Sequence, residues 1–205
     1  MSGGTAPIPK TPKSRLAILL SGRGSNFEAI ADAVLVGAIP SAEIVAVLSD
    51  VPEALGLARA RQRGLPGAAV DRKSYADRKA HEAEMLRQLD LARPDLVCLA
   101  GYMRLLSPEF VGRWRGRILN IHPALLPKFP GLDVQRRALE AGEKESGCTV
   151  HFVDEGTDTG PIVLQRRVPI LPGDTEESLS ARILAEEHLA YPEAISRVLA
   201  TLPKP

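Results

Sequence analysis

Asp95 to Ala100 reads Asp-Leu-Val-Cys-Leu-Ala, a nearly continuous apolar run of strand length. A strand with one wet face alternates apolar and polar residues; a run without alternation must be covered on both faces. A sheet of such strands needs helices on both sides, and the flanking sequence supplies them. Arg15 to Leu20 is a second apolar run, followed by Phe27, Ile30, Ala31 and Val34 at helical spacing, until Gly37 and Pro40 end the pattern. Glu43 to Leu48 is a strand, Glu53 to Arg63 a helix closed by Gly64, and Gly67 to Val70 a short third strand. Asp71 to Ser74 is a polar loop, and Tyr75 to Ala92 a helix that Pro94 closes. This alternation predicts βαβ units: an α/β, Rossmann-like open, mostly parallel sheet with helices on both faces.

The later pattern differs. Ser107-Pro108 is an N-cap with proline at the first helical position, and that short helix ends near Gly116. Arg117 to His122 is a strand, Ala124 to Gly131 a proline-stiffened loop, and Leu132 to Ala141 a helix. Gly147 to Val153 alternates and is β-branched, and Pro161 to Val168 is a further strand. Only the polar loop Asp154 to Gly160 separates them, so at least one antiparallel strand is expected in the C-terminal half. Asp174 is predicted to cap the last helix with Glu177 as its capping-box partner. That helix is expected to run to about Ala190, with Pro192 opening a short segment to about Leu199. Residues 1–13, rich in Gly, Pro, Thr and Lys, read as a disordered tail before a single domain over 14–205.

Charge and cysteine usage narrow the function. The 26 basic and 25 acidic side chains nearly cancel, which is not the footprint of a nucleic-acid binder. Cys98 and Cys148 form no motif, and the histidines at 81, 122, 151 and 188 have no short metal-ligand spacing, so no metal is expected. No apolar stretch is long enough to span a membrane, and the N-terminus lacks the apolar core of a signal peptide, so a cytoplasmic protein is expected.

Three stretches carry chemistry. Ser21-Gly22-Arg23-Gly24-Ser25-Asn26 joins a strand to a helix N-terminus, where backbone N–H groups and the helix dipole favour an anion. It lacks the third glycine of a dinucleotide fingerprint and the Lys-Ser/Thr of a P-loop; as a bare turn it needs glycine as well. Asn120 and His122 are two apart on a strand, so they share a face, and Pro123 ends the strand there. The pair offers an amide donor and a proton-exchanging ring, or a satisfied strand end. Asp158, in the loop before the last strand, would favour a charged imidazole if it lay near one, and is otherwise an ordinary loop aspartate. His151 is either a core histidine or a supporting one.

Taken together these stretches resemble one family. Ser-Gly-Arg-Gly-Ser-Asn, Leu-Ala-Gly-Tyr-Met-Arg-Leu-Leu-Ser-Pro and Asn-Ile-His-Pro-Ala-Leu-Leu-Pro-Lys-Phe-Pro-Gly look like phosphoribosylglycinamide formyltransferase. So do Val-His-Phe-Val-Asp-Glu-Gly-Thr-Asp-Thr-Gly-Pro and Ala-Glu-Glu-His-Leu-Ala-Tyr-Pro, and the match runs from about Arg15 to Leu199. The resemblance implies transfer of a formyl group from 10-formyltetrahydrofolate to the amine of 5-phosphoribosylglycinamide in purine (IMP) biosynthesis. It implies Asn120, His122 and Asp158 as catalytic residues, with Asp158 keeping His122 protonated. Gly24, Ser25, Asn26 and Glu187 would bind the phosphoribosyl substrate. Arg78 would pair with the folate tail; Met103, Arg104, Leu105, Leu106, Asn120 and the loop Asp154, Glu155, Gly156, Thr157, Asp158 would hold the folate. Arg23 and Ala124 depart from the family, where a small or uncharged residue and a serine are common. The partners implied are small molecules, with no nucleic acid and no membrane, in a monomer or homodimer.

Alternatives separate on sequence features. A formyltetrahydrofolate hydrolase would carry an extra N-terminal domain, for which residues 1–13 are too few. A methionyl-tRNA formyltransferase would carry a C-terminal β-barrel and a basic face. A nicotinamide-dependent oxidoreductase would want the missing glycine and a ribose-binding acid, for which Asp50 is poorly placed. A non-catalytic nucleotide-binding module would need no Asn-x-His pair.

Overall fold

The computed structural model describes residues 12–202, and seven strands within them form one sheet in the order β3-β2-β1-β4-β5-β6-β7. The strands are β1 (Ser14–Leu20), β2 (Ala42–Ser49), β3 (Gly67–Ala69), β4 (Leu96–Leu99), β5 (Ile118–His122), β6 (Glu145–Phe152) and β7 (Ile162–Pro169). The first five are parallel, and β6 runs antiparallel to both β5 and β7, so the expected antiparallel pairing occurs twice. The helices are α1 (Ser25–Leu35), α2 (Leu55–Gln62), α3 (Arg78–Ala92), α4 (Pro108–Arg113), α5 (Val134–Glu140) and α6 (Glu176–Thr201). Of the expected tail, residues 1–11 lie outside the described residues.

Strand β1 explains the two layers of helices. Successive side chains of a strand point to opposite faces, and here both sets are apolar. Leu16, Ile18 and Leu20 pack with Phe27 and Ile30 of α1 and Tyr191 and Ile195 of α6. Ala17 and Leu19 pack on the other face with Met85 and Leu89 of α3 and Phe110 of α4. Strand order reverses at β1, which lies between β2 and β4; in such sheets the crevice at the carboxyl ends of the strands is where ligands bind.

Three helix boundaries correct the sequence expectation. The helix expected from Tyr75 begins at Arg78, because Asp77 caps it by accepting the Ala80 N–H at 2.8 Å; before it, a 3₁₀ turn occupies Arg72–Ser74. At α6 the cap is Thr175, not Asp174. Thr175 and Ser178 exchange side-chain-to-backbone bonds at 3.2 and 2.9 Å, while Asp174 takes a bidentate pair from Arg182. Nor does α6 stop at Ala190: it runs unbroken through Pro192 to Thr201. A proline inside a helix costs about 3 kcal/mol or more. The helix absorbs that cost because Ala194, Ile195, Val198 and Leu199, beyond the proline, are buried in the same core as Leu179 and Ile183 before it.

Candidate active site

The register of three strands builds the site. Asn120 on β5 stands opposite His151 on β6, and one step along, His122 stands opposite Thr149, which stands opposite Gln165 on β7. Opposite residues project to one face, and so do residues two apart. The result is two adjacent rows of polar side chains on one side of the sheet, at the carboxyl end of β5. Asn120 Nδ2 lies 3.3 Å from His151 Nε2. The other ring nitrogen of His151 faces the Phe152 carbonyl at 2.8 Å. A carbonyl only accepts, so Nδ1 carries a hydrogen; Nε2 accepts from the Asn120 amide in the neutral ring and faces Asp158 Oδ1 as a donor when the ring is protonated. That fixes which end of the amide is the donor and leaves its second N–H for another acceptor.

His122 is buried, with 4% of its surface exposed, and both ring nitrogens are engaged. Nε2 donates to the Phe129 carbonyl at 2.8 Å, and Nδ1 lies 3.3 Å from Asp158 Oδ2. Asp158 reaches across from the β6–β7 loop with a left-handed backbone (φ 56°). Its Oδ2 accepts the Gly131 N–H at 2.9 Å, and its Oδ1 lies 3.5 Å from His151 Nε2. One carboxylate thus stands between two imidazoles. Burial pulls His122 below the ordinary imidazole value, against the upward pull of the Phe129 carbonyl and the Asp158 charge. Burial pushes Asp158 up, but His151, the Gly131 N–H and His122 outweigh it and hold the carboxyl below its ordinary value.

The loop after β1 forms the other end of the crevice. Gly24 caps α1 with φ 76°, and a Cβ there would stand 2.7 Å from the Gly56 Cα, so two glycines let the first and second helix starts touch. Ser25 is half-buried, and Asn26 is buried with its Nδ2 donating to Glu187 Oε2 at 2.8 Å. Asn26 Oδ1 is buried without a partner among the described residues. Burial raises Glu187 above the ordinary carboxyl value, although the Asn26 bond lowers it. Glu187, otherwise a solvated helical charge, is therefore a buried acid joined to the first loop. Arg23 is exposed.

The remaining candidates surround this crevice unequally. The loop after β4 is tied to the loop after β1 by Met103 N–H to Ser21 Oγ at 3.0 Å and Ser21 N–H to the Gly101 carbonyl at 3.0 Å. Met103 and Leu105 are 71% and 65% exposed, large apolar side chains offered to solvent; Arg104 and Leu106 are half-buried. Asp154 accepts from Gly156 N–H (3.0 Å) and Thr159 Oγ1 (2.7 Å), so it shapes its own loop. Glu155 pairs with Arg115 at 3.3 Å, and Thr157 is exposed. Arg78 is not brought to Asn120, His122 and Asp158. It opens α3, donates to the buried Glu82 at 2.8 Å and borders a separate groove of about 600 Å³ with Leu86 and Ser107. Asp50 is buried and paired with Arg72 at 2.9 Å, which leaves it no ribose-binding role. The sequence did not single out Thr149, Gln165 or the Phe129 carbonyl. The one available signal was that Thr149 and His151 are two apart on an alternating strand.

Among the described residues no group of three His, Cys, Asp or Glu side chains could hold a metal ion, and no helix is long and apolar enough to cross a membrane. The formyl transferase family model matches residues 14–195. A trifunctional purine biosynthetic protein of Drosophila melanogaster is 55% identical over 91% of this chain, which spans only 14% of that protein's length. The phosphoribosylglycinamide formyltransferase of Escherichia coli is 45% identical over 88% of this chain and 85% of its own. The crystal structure of a phosphoribosylglycinamide formyltransferase from Brucella melitensis is 50% identical. It superposes with a TM-score of 0.88 and covers 94% of this chain and 98% of that one. With its motifs, its sheet order and these likenesses in agreement over nearly its whole length, this chain belongs to the formyl transferase family.

Proposed function

We propose that this chain transfers the formyl group of 10-formyltetrahydrofolate to the primary amine of 5-phosphoribosylglycinamide, in purine (IMP) biosynthesis. The observation that carries the proposal is the Asp158–His122 contact of 3.3 Å beside the oriented amide of Asn120. A carboxylate that fixes an imidazole, next to an amide donor, suits a reaction that passes through an oxyanion. The amine lone pair attacks the formyl carbon, the new C–N bond forms, and the carbonyl pair moves onto oxygen. The free N–H of Asn120 would hold that oxygen, and the charged ring of His122, kept in place by the Phe129 carbonyl and Asp158, would stabilise its charge. Such a donor is worth about 10²–10³ in rate. Collapse of the oxyanion breaks the bond to the folate nitrogen, which receives the amine's proton through a water.

Binding divides along the crevice. Backbone N–H groups of Gly24, Ser25 and Asn26 at the start of α1 would hold the phosphate, and Glu187 the ribose hydroxyls. The exposed Met103 and Leu105, with Arg104, Leu106, Asn120 and the loop from Asp154 through Glu155, Gly156 and Thr157 to Asp158, would hold the folate, with Arg78 on its tail carboxylate. The same proposal takes residues 14–205 as one catalytic domain, cytoplasmic and either monomeric or dimeric, which sedimentation decides. The test is to mix purified protein with both substrates and follow tetrahydrofolate. Formylated product should accumulate with it; formate released without formylated product would move the assignment to a hydrolase. Dialysis against a chelator should leave turnover unchanged, and a loss restored by a divalent ion would overturn the metal-free chemistry.

A further inference from the structure

His122, Thr149 and Gln165 form one row across β5, β6 and β7, and the chain leaving β5 arches over that row. Thr149, fully buried, donates its hydroxyl to the Ala124 carbonyl at 2.6 Å and accepts from the Leu126 N–H at 3.1 Å. Its second lone pair takes Gln165 Nε2 at 2.9 Å, so the one donor and both acceptor sites of the hydroxyl are filled. The other hydrogen on Gln165 Nε2 goes to the Leu126 carbonyl at 2.8 Å. That carbonyl lies three residues before Phe129, whose left-handed backbone (φ 54°) turns its own carbonyl onto His122 Nε2; between them Lys128 is held by its N–H on the Leu125 carbonyl at 3.0 Å and its amine on Glu143 at 2.8 Å. Beyond Phe129 the chain is held again, by Arg137 on the Pro130 carbonyl at 2.6 Å. Phe129 is thus held from both sides, and Gln165 is the one pin that ties this segment to the sheet row of His122 and Thr149.

We propose that Gln165 is a positioning residue for formyl transfer, acting on His122 through residues 126–129; this rests on the function proposed above. It touches neither substrate nor the reacting atoms. Its amide sets where the Phe129 carbonyl stands, and that carbonyl orients the His122 ring and favours its charged form. The loop has room to move when released, because a cavity of about 180 Å³ lies against Leu126, Phe129 and Gln165. In a solidly packed site the loss of one bond would shift nothing; here the loop can relax into open space.

The test is Gln165→Met, which keeps the length of the side chain and removes both donors. kcat should fall roughly 10- to 100-fold, the loss that a displacement on the order of 1 Å produces. KM for each substrate should stay within about twofold of wild type, the pattern of a lost transition-state contact. The His122 Cε1–H resonance should titrate at lower pH than in wild type, and the alkaline limb of the kcat profile should move with it. Gln165→Leu, which removes both donors without adding a charge, should do the same and decides the matter if Gln165→Met does not fold. A folded variant with wild-type kcat, or with lowered kcat and an unmoved His122 titration, overturns the proposal and leaves Gln165 a purely structural residue. If wild type itself transfers no formyl group, the proposed function fails, and the His122 titration still decides the link between the two residues.

Discussion

At the residue scale, Asp158 faces two imidazoles at 3.3 and 3.5 Å, and the proposed mechanism uses only one of them. His151 is already tied through both nitrogens to Phe152 and Asn120, which leaves His122 as the ring for Asp158 to orient, its charge pulling the pKa up against burial. Asp158→Asn should therefore lower kcat by about 10²–10⁴, the range for a lost acid–base function. Asparagine tolerates the left-handed backbone that this position requires, so the melting temperature should hardly change. Removing the charge also removes an upward pull on His122, so the alkaline limb of the pH–rate profile should move to lower pH. An unmoved limb would mean that a different carboxylate serves the ring. Glu187 poses the opposite problem. Its folded pKa lies above its unfolded value, so the folded state holds a proton that the unfolded state gives up. Stability from this group is full below the unfolded pKa of about 4.5 and is lost as pH rises through the folded value. Glu187→Gln should accordingly raise the melting temperature at pH 7 while weakening substrate binding. Melting temperatures that stay parallel from pH 4 to 8 in both proteins would refute it.

At the scale of the elements, α6 connects the two halves of the crevice. It carries Glu187 to the β1 loop, and one turn later the single hydroxyl hydrogen of Tyr191 is shared between the Leu99 and Leu119 carbonyls, at 3.0 and 2.9 Å. Those carbonyls belong to β4 and to β5, the strand that carries Asn120, so the fully buried Tyr191 clamps β4 to β5 where the site begins. Tyr191→Phe should cost about 1–3 kcal/mol, the penalty for buried acceptors left without a donor; denaturant unfolding measures it, and a loss below 0.5 kcal/mol, roughly the smallest net value of a hydrogen bond, would show that the carbonyls are satisfied otherwise. Elements of this kind mark how far the sequence could be read. The parallel half was legible because two-residue and 3.6-residue periods report burial directly. Asn120 and His122 were legible as a pair because residues two apart on a strand share a face. The end of α6 was not, because proline's local cost is visible in the sequence and the distant core that offsets it is not. The roles of Thr149 and Gln165 were hidden for a related reason. They depend on the register of β5, β6 and β7, and on a backbone carbonyl that no side chain announces. That Asp158 would reach His122 came from likeness to a family, since nothing in the spacing requires it.

For the whole molecule, the arrangement implies a gradient of stability from the centre of the sheet to the loop that carries Asp158. Leu16 to Leu20 of β1 are fully buried between two layers of helices, so their amides should exchange hydrogen only by global unfolding. Residues 155–159 are held by bonds within their own loop, chiefly those of Asp154 to Gly156 and Thr159. Beyond these, Asp158 reaches Gly131, His122 and His151, Glu155 pairs with Arg115, and Val153 binds the Ile118 carbonyl. The loop should therefore open locally, at a free energy well below that of the sheet. Asp154→Ala removes two hydrogen bonds of about 0.5–1.5 kcal/mol each, so exchange at residues 155–159 should accelerate roughly tenfold or more. Exchange in β1 should stay unchanged, since the lost bonds do not reach the core. Adding a folate analogue should restore protection in the loop before it alters the sheet, because a ligand stabilises the state it binds in proportion to its concentration over Kd. Phosphoribosylglycinamide alone should instead protect the start of α1. Exchange in β1 that accelerates together with the loop would show that the two form one cooperative unit. Asp158 would then be held in place by the fold as a whole rather than delivered by a segment that closes with the folate.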